Sequence, residues 1–208
     1  GISPHIRPVS PQNPLNYNVS ASFTTLPAED FGRYYYCLTF AWINAKVVMK
    51  FENANVLITG GASGIGRIMG RMALEKGASC LVIWDINPQN ITSTIKELGK
   101  IGKVKGQVVD VSRNELVTEA YNKAVNECGD IDILINCAGI VTSNKTFDQQ
   151  TTDEIVRTMA INTIAPMFVA RAMLPDMIRR NRGHICTIAS AGGMLSNPKM
   201  SVYAASKW

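Results

Sequence analysis

Asn55-Val-Leu-Ile-Thr59-Gly60-Gly61-Ala62-Ser63-Gly64-Ile65-Gly66 is the stretch on which the fold turns. Its first five residues are a short apolar run that ends at glycine, the mark of a buried strand. The glycines fit a strand-to-helix turn. Gly60 permits a tight turn, Gly64 lets backbone approach a pyrophosphate, and Gly66 lets a helix pack close to the strand. From Gly64 to Lys76, Ile65, Ile68, Met69, Met72 and Ala73 recur at helical spacing, and Gly77 closes the segment. A helix that begins there aims free N–H groups, including that of Ile65, and the positive end of its dipole at the loop. A glycine-rich loop alone is only a turn; the strand before it and the helix after it make it a phosphate cradle.

The alternation continues in both directions from this turn. Cys80–Trp84 reads as a second strand and residues 90–100 as the next helix. Val104–Val109 is a third strand, followed by a helix from Arg113 to Cys128. Ile131–Ile135 is a fourth strand, Thr152–Arg180 a long helix with Pro166 and Pro175 as bends, and His184–Ile188 a fifth strand. Near-continuous apolar strands alternating with amphipathic helices mean a parallel sheet covered on both faces. The expected fold is α/β, a doubly wound parallel sheet of Rossmann type, over residues 49–208.

Composition narrows the function. The chain has 208 residues, 46% hydrophobic and 18% charged, with a net charge of +5 that is spread along the sequence. Its densest basic run, Arg179-Arg180-Asn-Arg182, ends the long helical pattern, where cations are favoured, so no nucleic-acid partner is expected. No run of 18 apolar residues implies a membrane span. Five cysteines (37, 80, 128, 137, 186) without a Cys-x-x-Cys pair suggest reduced thiols in a cytoplasmic protein. With only His5 and His184 present, neither a zinc site nor a Ser-His-Asp triad is expected.

Residues 1–48 differ from the rest. Five prolines and no periodicity suggest a disordered leader. Its apolar end, around residues 34–49, suits a membrane-surface anchor or the core of a signal peptide. A simpler reading takes Met49, the first methionine, as the natural start and 1–48 as upstream sequence read through.

Two further features carry chemistry. Asp85 closes the second strand nineteen residues past Gly66, where a carboxylate binds a ribose diol and repels a 2′-phosphate. No Lys or Arg lies between Gly60 and Gly66 to receive that phosphate, so NAD is expected over NADP. Asp85 as a cap for the helix near Pro88 is the alternative. At the other end, Tyr203 and Lys207 form a Tyr-x-x-x-Lys pair, which a helix brings to one face. A neighbouring ammonium favours the phenolate, a usable base.

With these residues in order the chain resembles the short-chain dehydrogenase/reductase family over about residues 52–208. The glycine loop, with Ser63 and Ile65 inside it, is joined by Asp110-Val111, similar to the pair that holds the adenine ring, and by Asn136-Cys-Ala138-Gly139, similar to the family's Asn-Asn-Ala-Gly. Asn162 matches the family's asparagine, and Ser190 stands thirteen residues before Tyr203 as the family's serine does. Trp84-Asp-Ile-Asn87 and the run from Ile135 to Thr142 look closest to the branch with retinol and 17β-hydroxysteroid dehydrogenases.

The resemblance implies a mechanism. Tyr203 takes the alcohol proton as hydride leaves the substrate carbon for the nicotinamide. Lys207 supports Tyr203 and binds the nicotinamide ribose, Ser190 bonds the reacting oxygen, and Asn162 positions a water linking Lys207 to solvent. The bland roles are a strand-end turn for Ser190, a backbone-bonded helix amide for Asn162 and a packing aromatic for Tyr203. Cys137, in place of the second asparagine, is expected to loosen the sheet slightly.

Three functions stay open: an NAD-dependent dehydrogenase or reductase acting on an alcohol or ketone, a nucleotide binder without chemistry, and a truncated fragment that is inactive alone. The family's further strands, substrate loop and subunit-pairing helix would lie beyond Trp208, and the full-length protein is expected to be a homo-oligomer. Met194, Leu195, Pro198 and Met200 hint at a hydrophobic substrate.

Overall fold

In the computed structural model, residues 50–142, 144–195 and 198–208 are described. The leader 1–48, the Met49 start and the surface anchor at 34–49 lie outside the described residues. Five strands form one parallel sheet: β1 (Asn55–Thr59), β2 (Cys80–Asp85), β3 (Val104–Val108), β4 (Ile133–Asn136) and β5 (His184–Thr187). Their order is β3-β2-β1-β4-β5, so the direction of strand addition reverses at β1. In such sheets ligands bind at the carboxyl ends of the strands flanking that reversal.

Strand residues alternate between the two faces, which gives two cores. Leu57, Val82, Trp84 and Leu134 pack on one side against α3 (Asn114–Cys128) and α5 (Ala165–Arg180), through Val117, Tyr121 and Met173. Val56, Ile58, Leu81, Ile83 and Ile135 pack on the other against α1 (Gly64–Glu75) and α2 (Pro88–Leu98), through Ala73, Leu74 and Leu98. Both faces being covered explains why the central strands β1, β2 and β4 read as nearly unbroken apolar runs.

The expected long helix is divided in three. It opens as α4 (Thr152–Met159), where Thr151 Oγ1 accepts from the Glu154 amide and the Glu154 carboxylate accepts from the Thr151 amide, a reciprocal cap. A π-turn over Ala160–Ile164 follows, with the Ala165 amide bonded to the Ala160 carbonyl, and α5 continues from there. Pro166 supplies the reason, because it has no N–H for the Asn162 carbonyl four residues earlier. Pro175 lies inside α5 without ending it. A short helix, α6 (Ser201–Lys207), carries the Tyr-x-x-x-Lys pair.

One expectation is corrected. Cys80 and Cys128 are joined as a disulfide, with Cα atoms 5.9 Å apart. They stand 48 residues apart in sequence, but the start of β2 and the end of α3 pack together, which spacing could not reveal. The argument for a reducing compartment from unpaired thiols falls away with that bond.

At the amino-terminal end of the sheet Asp132, nearly buried, ties three elements. Its Oδ1 accepts from Arg180 Nη1 and Arg182 Nε, each at 2.9 Å, and its Oδ2 accepts from the Asn55 amide at 3.1 Å. The basic run singled out by composition is thus an internal clamp at the end of α5. Asp132→Ala leaves that amide without its partner and strips Arg180 of its nearest carboxylate, leaving it the Ile131 carbonyl and Asp130. We expect a loss of about 2–3 kcal/mol, discounted because Arg182 is half-exposed, and a fall in Tm of about 5–10 °C in thermal denaturation.

Candidate active site

The carboxyl ends of β1, β2, β3 and β4 open onto a cleft of about 440 Å³. Gly60, Ser63, Gly64, Ile65, Gly66, Asp85, Asp110, Val111, Ala138 and Gly139 all line it. Local geometry explains the glycines. Gly60 has φ +65° and lies so close to β4 that a Cβ would be 2.9 Å from Ala138 Cα. Gly64 has φ +48° and nothing within 4 Å of its missing side chain, so its backbone is open to a ligand. A Cβ on Gly66 would sit 2.2 Å from the Gly60 carbonyl oxygen.

Asp85 lines the cleft with its carboxylate partly committed: Oδ2 accepts from the Ala62 amide at 3.2 Å and Oδ1 from the Asn87 amide at 3.1 Å. The α2 cap is Asn87, whose side chain accepts from the Asn90 amide at 2.9 Å, so the capping alternative for Asp85 does not hold. Asp110 accepts from the Ser112 amide at 3.0 Å and from Ser112 Oγ at 2.6 Å, both at Oδ1. Asn136 is turned away from the cleft. It shares a strand face with Leu134, and its Nδ2 lies 3.4 Å from the Pro166 carbonyl and from Thr187 Oγ1. Cys137 lines the cleft in its stead.

The four expected catalytic side chains fall in two pairs, Asn162 and Lys207 beside Gly139, which lines the cleft, and Ser190 and Tyr203 beside Gly192, with α6 carrying both Tyr203 and Lys207. A Cβ built on Gly139 would be 3.3 Å from both Asn162 Oδ1 and Lys207 Nζ. One built on Gly192 would be 3.3 Å from Tyr203 Cε1 and 3.4 Å from Ser190 Oγ. Lys207 Nζ donates to the Ile188 carbonyl at 2.9 Å. Burial pulls its pKa below the ordinary lysine value, while the nearby Cys137 sulfur acts in the opposite direction. Ser190 Oγ accepts from the Gly192 amide at 3.1 Å, the strand-end turn foreseen as its bland role, and keeps its own proton to donate.

Asn162, in the π-turn, has its side chain fully occupied. Its Oδ1 accepts from the Ile140 amide at 2.8 Å, and its Nδ2 donates to the Ile140 carbonyl and to Ser206 Oγ, both at 2.9 Å. Ser206 Oγ donates in turn to the Tyr203 carbonyl at 2.7 Å. This chain of bonds fastens α6 to the loop after β4. Two polar residues outside the expected set hold the site: Ser206 here, and Thr59, whose Oγ1 accepts from the amides of Cys137 and Ala138, each at 3.1 Å. Thr59 was visible as the last residue before the glycines, but a hydroxyl's reach across to β4 appears only in three dimensions.

Among the described residues no cluster of His, Cys, Asp or Glu could hold a metal ion, and no helix is long and apolar enough to cross a membrane.

A glycine cradle at the β1–α1 turn, an acid at the end of β2, and a Ser-Tyr-Lys-Asn group at the rim define a class, and the comparisons agree. Residues 54–208 match the short chain dehydrogenase family, and the chain belongs to it. Estradiol 17-beta-dehydrogenase 11 of Homo sapiens is 39% identical over 154 residues, 74% of this chain and 51% of that protein. For 17-beta-hydroxysteroid dehydrogenase 13 of Homo sapiens the identity is 36% over the same shares. The chain therefore spans about half the length of the curated relatives it matches. Among solved structures, an NAD+-bound xylitol dehydrogenase superposes with a TM-score of 0.73 at 27% identity, over 76% of this chain and 61% of that one. A short chain dehydrogenase/reductase from Burkholderia phymatum in complex with NAD does so with a TM-score of 0.73 at 27% identity, over 77% and 57%.

Proposed function

We propose that the protein carrying this chain is an NAD-linked oxidoreductase that interconverts a primary or secondary alcohol and its carbonyl, with Tyr203 as the acid/base group. The observation that carries this reading is that Lys207 and Asn162 lie beside Gly139, a residue of the glycine-lined cleft, while α6 carries Tyr203 one turn before Lys207 and beside Ser190. A bound nicotinamide would supply the hydride acceptor. The residues that would hold the cofactor are the Gly60–Gly66 backbone, the start of α1, Asp85, Asp110 and Lys207; the open space over Gly64 fits a phosphate. Tyr203 would take the alcohol proton, and Ser190 would donate to the reacting oxygen. Lys207, anchored on Ile188, would favour the phenolate by its charge. A water serving Lys207 would be held by the main chain of Asn162, since its amide is already spent and Pro166 offers its carbonyl no donor.

The apolar side chains near the rim, Met194 and Leu195, support a hydrophobic substrate, and the names of the relatives point to hydroxysteroids. Self-association is part of the proposal, supported by the exposed apolar side chains Met167, Leu174 and Ile178 on α5 and Ile164 at the end of the π-turn before it. The deciding experiment is NAD-linked oxidation of a hydrophobic secondary alcohol by the full-length protein. No turnover with a panel of such alcohols and ketones would sink the reading.

NAD over NADP rests on Asp85. Asp85→Asn keeps an acceptor for a loop amide and removes the charge that opposes a 2′-phosphate. We expect kcat/KM for NADP relative to NAD to rise about ten- to hundredfold in steady-state kinetics.

A second reading, nucleotide binding without turnover by this 208-residue stretch alone, is favoured by two observations. Among the described residues β5 is an outer strand paired only with β4, and Leu195 beside the rim is 69% exposed.

A further inference from the structure

Arg157, on the last turn of α4, lines two hollows at once. One is the cleft, shared with Ile140 and Ile161; the other is a neighbouring space of about 450 Å³ with Val141, Thr142 and Asp153. Among the described residues lining the cleft, Arg157 alone carries a positive charge, against the carboxylates of Asp85 and Asp110. Asp153 and Glu154 precede it by four and three residues, the spacing at which helical ion pairs form. Yet Glu154 is taken by Lys145 at 2.8 Å and by the Thr151 amide, and among the described residues Arg157 makes no ion pair. No ion pair among the described residues holds the guanidinium away from the cleft.

Strand order says where in the cleft it stands. β2 and β4 flank β1 on opposite sides, so Ile86 from the β2 exit and Arg157 from the helix after β4 approach from opposite flanks. Asp110 and Val111, from the β3 exit, line the cleft on the β2 side. Ile86 is 65% exposed, an apolar side chain held out with nothing packed over it. An exposed apolar side chain on one flank, a planar cation on the other and carboxylates on the β2 side suit a purine: guanidinium groups stack on aromatic faces, and a carboxylate accepts from an exocyclic amine.

We infer that Arg157 is a cofactor-positioning residue whose guanidinium covers one face of the adenine while Ile86 covers the other. The inference rests on the reading of this cleft as the NAD site. The neighbouring hollow gives the long side chain room to swing aside as the cofactor enters and leaves.

The test uses the full-length protein, with inhibition by AMP and ADP-ribose alongside NAD kinetics. Arg157→Ala should raise the KM for NAD and both inhibition constants by the same factor, about two- to fivefold as for a cation over an exposed ring. The loss should fall on KM rather than kcat, persist at high salt and leave Tm unchanged. Arg157→Lys should recover only part of it, because an ammonium is a point charge without a stacking plane. Unchanged constants would overturn the inference. So would full recovery in Arg157→Lys with a loss that vanishes at high salt, which would mark a contact with the pyrophosphate instead. Failure of the unsubstituted protein to bind ADP-ribose at all would overturn the cleft reading together with this inference, an outcome distinct from a silent Arg157→Ala.

Discussion

Replacing Tyr203 with phenylalanine in the full-length protein is expected to lower kcat by about 10²–10⁴-fold, the range that a positioned acid or base contributes. The ring stays, so its packing beside Gly192 is kept; only the phenolic oxygen is lost. NAD binding should change little, because the cleft wall is built from the strand exits and the glycine loop rather than from Tyr203. Single-turnover kinetics with a separate cofactor titration would resolve the two. A variant with unimpaired kcat would remove Tyr203 from the chemistry. A variant that lost NAD binding in proportion would instead make the tyrosine a structural prop of α6, whose tether already runs from the Tyr203 carbonyl through Ser206 to Asn162.

Gly66→Ala should be nearly as damaging by a different route. The added methyl would meet the Gly60 oxygen at 2.2 Å, the Gly60 carbonyl carbon at 2.9 Å and Gly61 Cα at 3.1 Å, all backbone atoms that cannot rotate away. Either α1 backs off from the turn or the loop opens. Overpacking of this kind costs about 1–3 kcal/mol, and here it falls on the segment that would bind phosphate. We expect a Tm lower by about 3–10 °C and NAD affinity reduced at least about tenfold, read by calorimetry and by cofactor titration. Gly64→Ala is the informative partner. Nothing stands within 4 Å of its new methyl, so any loss there comes from its φ of +48° and from methyl projecting toward the ligand. Equal Tm losses in the two variants would refute the steric account of Gly66.

The central strands β1, β2 and β4 were legible because each is an apolar run buried on both faces, with Val56, Leu57 and Ile58 fully buried. By contrast β3, with Lys105 and Gln107, and β5 are only partly buried and were placed by the alternation around them. The glycine loop was legible because its spacing answers to backbone contacts a few residues long. What escaped depends on partners far off in the chain. The π-turn at Ala160–Ile164 hid inside a pattern that stays helical on either side, and Pro166 pointed to a bend without saying that the backbone would widen around Asn162. The Cys80–Cys128 bond and the Thr59 stitch to β4 join residues 48 and about 78 positions apart. Asn136 was assigned with its motif as a group, but strand alternation sends its side chain toward α5.

The strand order has a consequence for how the molecule comes into being during synthesis. β1 leaves the ribosome first and ends at the centre of the sheet, β2 and β3 then extend it on one side, and β4 and β5 extend it on the other. Among the described strands none has to be inserted between two that are already paired, and each later one docks on an outer edge. The cleft closes only in the second half of such growth, since its far wall, from Cys137 to Ile140 and on to Arg157 and Ile161, arrives after β4. A nascent chain that has made the glycine loop thus presents half a cradle, and the dinucleotide can serve as a folding partner only after the other flank is in place.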